Sequence, residues 1–127
     1  MLKNKNLKQI KINSEDLFKI SIKLLNKYNL ETNFYFILLL CYLTVKEFSR
    51  NNEHLDKTAK IDLSIKYIPD LIDGLLQSKI ITDVEYKEIK KELDRNEKDL
   101  VDIFNVYTII SSINNNDVIK KTKCCLT

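Results

Sequence analysis

Apolar residues recur at intervals of three and four along most of the chain, the rhythm of helices that each bury one face. Leu17, Phe18, Ser21, Leu24, Leu25 and Tyr28 keep that rhythm and predict a first helix over about 14–29. Asn13, Ser14, Glu15 and Asp16 supply a capping side chain and acids at its positively polarised end. A second helix is predicted over about 33–50, capped by Thr32 or Asn33. From Phe34 to Val45 only Thr44 interrupts its apolar run. A helix apolar around nearly its whole circumference has to be surrounded, so this one is expected at the centre of the fold.

After a polar connection at Asn51 to His54, the residues Leu55, Ala59, Leu63, Tyr67 and Ile68 mark a third helix. Pro69 has no amide hydrogen and crowds the preceding turn, which predicts a break near Ile68. It can then open a fourth helix that buries Leu71, Ile72, Leu75 and Leu76. Thr82 and Glu85 stand three apart, as in a capping box where each side chain satisfies an exposed amide of the other, and they start a fifth helix with Tyr86, Ile89 and Leu93 on one side. Asn96, with Asp99 three residues on, predicts the start of a sixth helix, striped by Leu100, Ile103, Phe104, Tyr107 and Ile110 and ended by Asn114 to Asn116. The expectation is an all-α, single-domain bundle of five to six helices over residues 13–116, with a basic arm at 1–12 and a basic, cysteine-containing tail at 117–127.

Composition narrows the field further. The 127 residues include a single glycine, Gly74, and a single proline. An all-β fold needs more turn residues than that, and phosphate-cradling loops, dinucleotide fingerprints and nucleophile elbows need glycines where the backbone turns sharply or approaches a ligand. Most familiar enzyme sites are thereby excluded, and a non-enzymatic protein is expected. The remaining candidates for chemistry read more simply as structure. His54 lies between Glu53 and Asp56 in a polar connection, and Asp70 with Asp73 and Glu85 with Glu88 fit a charged helix face. No cofactor or metal is expected: Cys41 sits among apolar neighbours that make a poor nucleophile of it, and His54 is remote from Cys41, Cys124 and Cys125.

The net charge of +3 is unevenly spread. Lys3, Lys5, Lys8 and Lys11 stand in an arm without acids, and Lys120, Lys121 and Lys123 in a tail with only Asp117, whereas the body between holds 14 basic and 17 acidic residues. Such ends either attract anionic lipid or nucleic-acid phosphates, or serve as solvated tails. Met1 to Asn13 is polar and lysine-rich, unlike a secretory leader, and the 12-residue apolar run is shorter than the roughly 20 residues that cross a bilayer. The expected setting is cytoplasmic, including the cytosolic face of a membrane.

Two stretches resemble known patterns. Residues 71–93, from Leu75-Leu76-Gln77-Ser78-Lys79-Ile80-Ile81-Thr82 to Glu85-Tyr86, Lys90 and Leu93, resemble the short helical hairpin module known as SHOCT, with Lys79 where that module commonly has glycine. The resemblance implies oligomerisation or nucleic-acid contact. The last four residues, Cys124-Cys125-Leu126-Thr127, resemble a prenylation signal. One lipid anchors weakly, and the upstream lysines would be the second signal. The leading expectation is therefore a protein-interaction or adaptor protein, contacting a protein partner or a second copy and tethered to a membrane through its tail. Apolar positions beside the main stripes, Ile20, Ile22, Val101, Val106 and Ile109, supply surface for such contacts. The alternative is a nucleic-acid-binding helical domain that uses the basic arm and the 71–93 hairpin.

Overall fold

Four polar side chains start four helical rods. Asn13, Asn33, Asp56 and Thr82 each have extended backbone and accept a hydrogen bond from an amide two or three residues ahead, at 2.9, 3.1, 2.8 and 3.1 Å respectively. The computed structural model describes residues 13–52 and 54–111. In them α1 spans Ser14–Tyr28, α2 Phe34–Asn51, α3 Lys57–Gln77, α4 Asp83–Asn96 and α5 Leu100–Ser111. The 3-10 turn Glu97–Asp99 joins α4 to α5 with Glu97 and Leu100 both in right-handed helical backbone, so these two form one interrupted rod. No strand occurs among the described residues, and the fold is all-α.

One expected helix boundary is absent and another is reduced to a 3-10 turn, which leaves four rods where five to six helices were expected. The predicted break near Ile68 does not occur, and α3 runs unbroken through Pro69. Tyr67, Ile68, Leu71 and Ile72 are buried on either side of it, and Pro69 itself is exposed. Burial of that stripe outweighs the roughly 3 kcal/mol that an internal proline costs a helix. The second boundary is displaced: Asn96 makes no side-chain cap bond, and the last helix begins at Leu100 after the 3-10 turn. The Asn96 side-chain amide instead donates to the Glu92 carbonyl at 2.8 Å, satisfying the end of α4. Asn114 to Asn116, expected to close the last helix, lie outside the described residues.

As its apolar run predicts, α2 is central: it touches all four other helices, and residues 36–45 are buried without exception. Gly74 lets α1 approach α3, since a Cβ there would stand 2.6 Å from Cε1 of Phe18. Where α1, α2 and α3 meet, three buried hydroxyls converge. The Ser21 hydroxyl lies 2.7 Å from that of Thr44 and 2.9 Å from that of Tyr67, and donates to the Leu17 carbonyl at 3.1 Å. Burial pushes the phenols of Tyr42, Tyr67 and Tyr107 up from their ordinary value. These phenols keep their protons in the fold after the unfolded chain would lose them near pH 10. Their contribution to stability is thus fully present below about pH 10 and drains away as the pH rises further. Urea midpoints measured on either side of pH 10 are expected to fall on the alkaline side, and less so in Tyr67→Phe.

Both the α1–α2 and the α3–α4 connections close with a Schellman motif. After α1, the amides of Leu30 and Asn29 bond the carbonyls of Leu25 and Asn26, and after α3 the amides of Ile80 and Lys79 bond those of Leu75 and Leu76. The residue after each cap is left-handed, Asn29 with φ 51° and Lys79 with φ 61°. Asparagine tolerates that region, whereas lysine is strained there by roughly 1 kcal/mol. Lys79→Gly is expected to raise stability by up to about 1 kcal/mol, and Lys79→Val to lower it. Thermal melts of the two variants check the sign; a destabilised glycine variant would contradict the assignment.

Candidate interaction surface

Lys23 and Lys27 lie one turn apart on α1, and Lys46 and Arg50 one turn apart on α2. With Ile20, Leu24 and Tyr28 on α1 and Leu43, Glu47 and Asn51 on α2, they wall a groove of about 390 Å³. Each helix contributes positions i, i+3, i+4, i+7 and i+8, one continuous face. The groove lies between the C-terminal halves of the two helices, beyond the Ser21–Thr44 contact that fixes their approach. Lys27 and Arg50 occupy last turns, where cations suit the helix dipole. Glu47 is engaged within the groove, 3.5 Å from the Arg50 guanidinium and 2.8 Å from the Asn51 amide that donates to it.

Lys46 also lines a second groove, of about 310 Å³, with Tyr42, Lys57 and Lys60 and with Thr108, Ile109 and Ser111 of α5. Its ammonium donates to the Ser111 carbonyl at 3.4 Å, and the Tyr42 and Ser111 hydroxyls are 3.1 Å apart. Partial burial, followed by repulsion from Lys60 and Arg50, holds the Lys46 ammonium below its ordinary pKa. Lys57 and Lys60 stand in the first turn of α3, the end where the helix dipole disfavours cations, and that turn contains no acid. The N-cap carboxylate of Asp56 stands immediately before them. The two grooves share Lys46, and exposed Ile109 lines the second.

The rest of α5 adds apolar surface. Leu100, Phe104 and Ser111 face the core, whereas Val101 and Val106 are each 50% exposed and Ile109 63%. Ile20 and Ile22, expected beside the stripes, are partly buried against the core. A groove of opposite sign lies near the start of α2, where Glu31, Glu85, Glu88 and Glu92 surround Phe34 and Tyr35. Glu85 also belongs to the capping box, and Glu92 is paired with Arg95.

Of the residues singled out in the sequence, Thr82 and Glu85 form the expected reciprocal cap, the Thr82 amide donating to Glu85 Oε1 at 2.8 Å. Lys3, Lys5, Lys8, Lys11, Lys120, Lys121, Lys123, Cys124 and Cys125 lie outside the described residues. His54 is exposed, and the Cys41 thiol is buried and pushed far up by that burial. Asp70 and Asp73 do not act as a pair: Asp70 accepts from Ser14 Oγ and Asp73 from Tyr86 Oη, each at 2.8 Å. Within the 71–93 hairpin, the outward side of α4 mixes Lys87 and Lys91 with Asp83 and Glu88. Among the described residues no group of three His, Cys, Asp or Glu side chains could hold a metal ion, and no helix is long and apolar enough to cross a membrane.

Sequence reasoning missed the Lys46 face. Its traces are the pairs Lys23/Lys27 and Lys46/Arg50 at four-residue spacing, but nothing in them says which helices lie side by side. Compared with family models, curated proteins and solved structures, the chain matches none.

Proposed function

We propose that the protein is a non-enzymatic helical adaptor that works at an anionic membrane surface, with the Lys46 face toward the headgroups and the exposed side of α5 available for protein contact. One observation carries the reading: Lys57 and Lys60, in the first turn of their helix, line one groove with Lys46, whose ammonium is held down by partial burial and then by Lys60 and Arg50. Clustered cations of this kind attract an external anion. The location of the face supports the same reading, because Ser111 borders it and the chain continues from there to Lys120, Lys121, Lys123, Cys124 and Cys125. Exposed Ile109 beside the cations gives the mixed apolar and basic character that interfacial binders use.

Each basic residue near an anionic bilayer contributes about 1 kcal/mol, and salt weakens the attraction. Unmodified protein is expected to co-sediment with phosphatidylcholine vesicles that contain phosphatidylserine, to bind pure phosphatidylcholine weakly, and to release as salt rises. Lys57→Glu with Lys60→Glu is expected to reduce that binding at least about tenfold. Equal binding to both vesicle types, or an unaffected double variant, would overturn the reading. Intact mass of the protein from its native cells tests the tether separately: loss of three residues with gain of an isoprenyl and a methyl group supports it, and an unmodified mass removes it.

A further inference from the structure

We propose that the groove between α1 and α2 is a binding site for a single anionic amphiphile, a molecule with one phosphate or carboxylate head and an aliphatic tail. This deepens the membrane reading by giving the surface a discrete ligand site, and it is testable without a bilayer. The groove's two layers carry the argument. Its floor is Ile20, Leu24 and Leu43, and its rim carries exposed Lys23 and Lys27. The volume of about 390 Å³ falls in the range that holds small organic ligands. A purely ionic ligand such as free phosphate would satisfy the rim and leave the floor wet, and a neutral hydrocarbon would do the reverse. Only an amphiphile satisfies both.

Charge fixes the sign of the head. The groove's one carboxylate, Glu47, is already held by Arg50 and Asn51, so it does not neutralise Lys23 and Lys27. The Lys27 ammonium lies 5.1 Å from the centroid of the Tyr28 ring, which turns the ring face toward the cation and keeps it on the groove wall. Lysine stems can cover the tail of a bound molecule while their ammonium groups stay at the mouth with its head. The neighbouring groove at Lys57 and Lys60 contributes Tyr42, Thr108, Ile109 and Ser111 beside its cations, and fits headgroups at a surface better than an inserted tail.

The test is titration of the full chain with monomeric dodecyl phosphate, followed by calorimetry and amide NMR shifts. Saturable one-to-one binding with shifts centred on Lys23, Leu24 and Leu43 is expected, weakened about tenfold by Leu24→Ser. Lys23→Glu, at an exposed position that leaves the core intact, is expected to weaken it as well, and Lys57→Glu to leave it unchanged. Inorganic phosphate binding as tightly, dodecyl trimethylammonium binding equally well, or groove variants without effect would each overturn the site. Vesicles containing phosphatidic acid identify the source of the ligand. If Leu24→Ser weakens both vesicle and monomer binding, the site takes a bilayer lipid; if it weakens only the monomer, the site takes a free amphiphile. Salt-sensitive vesicle binding with no saturable monomer binding overturns this site and leaves the membrane reading standing, whereas monomer binding without vesicle binding does the opposite.

Discussion

Phe104→Ala is expected to lower stability by about 3–5 kcal/mol, with the loss concentrated in the docking of α5. The Phe104 ring is fully buried, and it meets Tyr107 edge to face with centroids 5.9 Å apart. Elsewhere on α5, Val101, Val106 and Ile109 face outward, Ile103, Tyr107 and Ile110 pack against the core only in part, and the fully buried apolar side chains are Leu100 and Phe104. Removing the ring leaves both a cavity and one principal anchor where there were two. Hydrogen exchange in the variant is expected to accelerate first over residues 100–111, with α1, α2 and α3 still protected. Phe104→Leu keeps most of the volume and should cost clearly less. A urea midpoint for the alanine variant close to that of the parent would mean that α5 is held by something other than this side chain. The prediction also bears on the proposed function, because undocking of α5 would remove Ile109 and Ser111 from the groove they line with Lys46.

Which parts of this fold are legible in the sequence follows from what periodicity records. It reports which side of a helix is apolar, so α1, α2 and α4 begin within a residue of expectation and α2 is central. Caps are equally local: Asn13, Asn33 and the Thr82–Glu85 pair act through residues two or three away and need no knowledge of the tertiary structure. Pro69 marks where that locality fails. Its helix penalty is a property of one residue, and it was overridden by burial of Tyr67, Ile68, Leu71 and Ile72 against a helix that lies elsewhere in the sequence. Asn96 fails for a related reason, since the same side chain can open one helix or finish another, and the choice is made by the Glu92 carbonyl within reach. The Lys46 face was illegible because it is a relation between helices. Lys23, Lys46 and Lys60 belong to separate rods, and their proximity depends on how α1 crosses α2 and where α3 begins.

That crossing depends on a buried polar contact, and Ser21→Ala is expected to destabilise the protein by about 2–4 kcal/mol, although it deletes one oxygen atom. A hydroxyl carries one proton and two acceptor lone pairs. Ser21 donates its proton to the Leu17 carbonyl, which can only accept, so the hydroxyls of Thr44 and Tyr67 must both donate to Ser21. Ser21 is thus the hub, fully satisfied, and its removal deprives two buried donors of their acceptor, at about 1–3 kcal/mol each before any relaxation. Tyr67→Phe removes a spoke, leaves Ser21 bonded to Thr44 and Leu17, and should cost about 1 kcal/mol. Adding Thr44→Val and Tyr67→Phe to Ser21→Ala removes the stranded donors, so the triple variant should be more stable than the sum of the three single losses predicts. Urea denaturation of the single and triple variants decides the matter. Additive losses, or a Tyr67→Phe cost equal to that of Ser21→Ala, would show that the three hydroxyls act independently and that apolar packing alone sets the approach of α1 to α2 and α3.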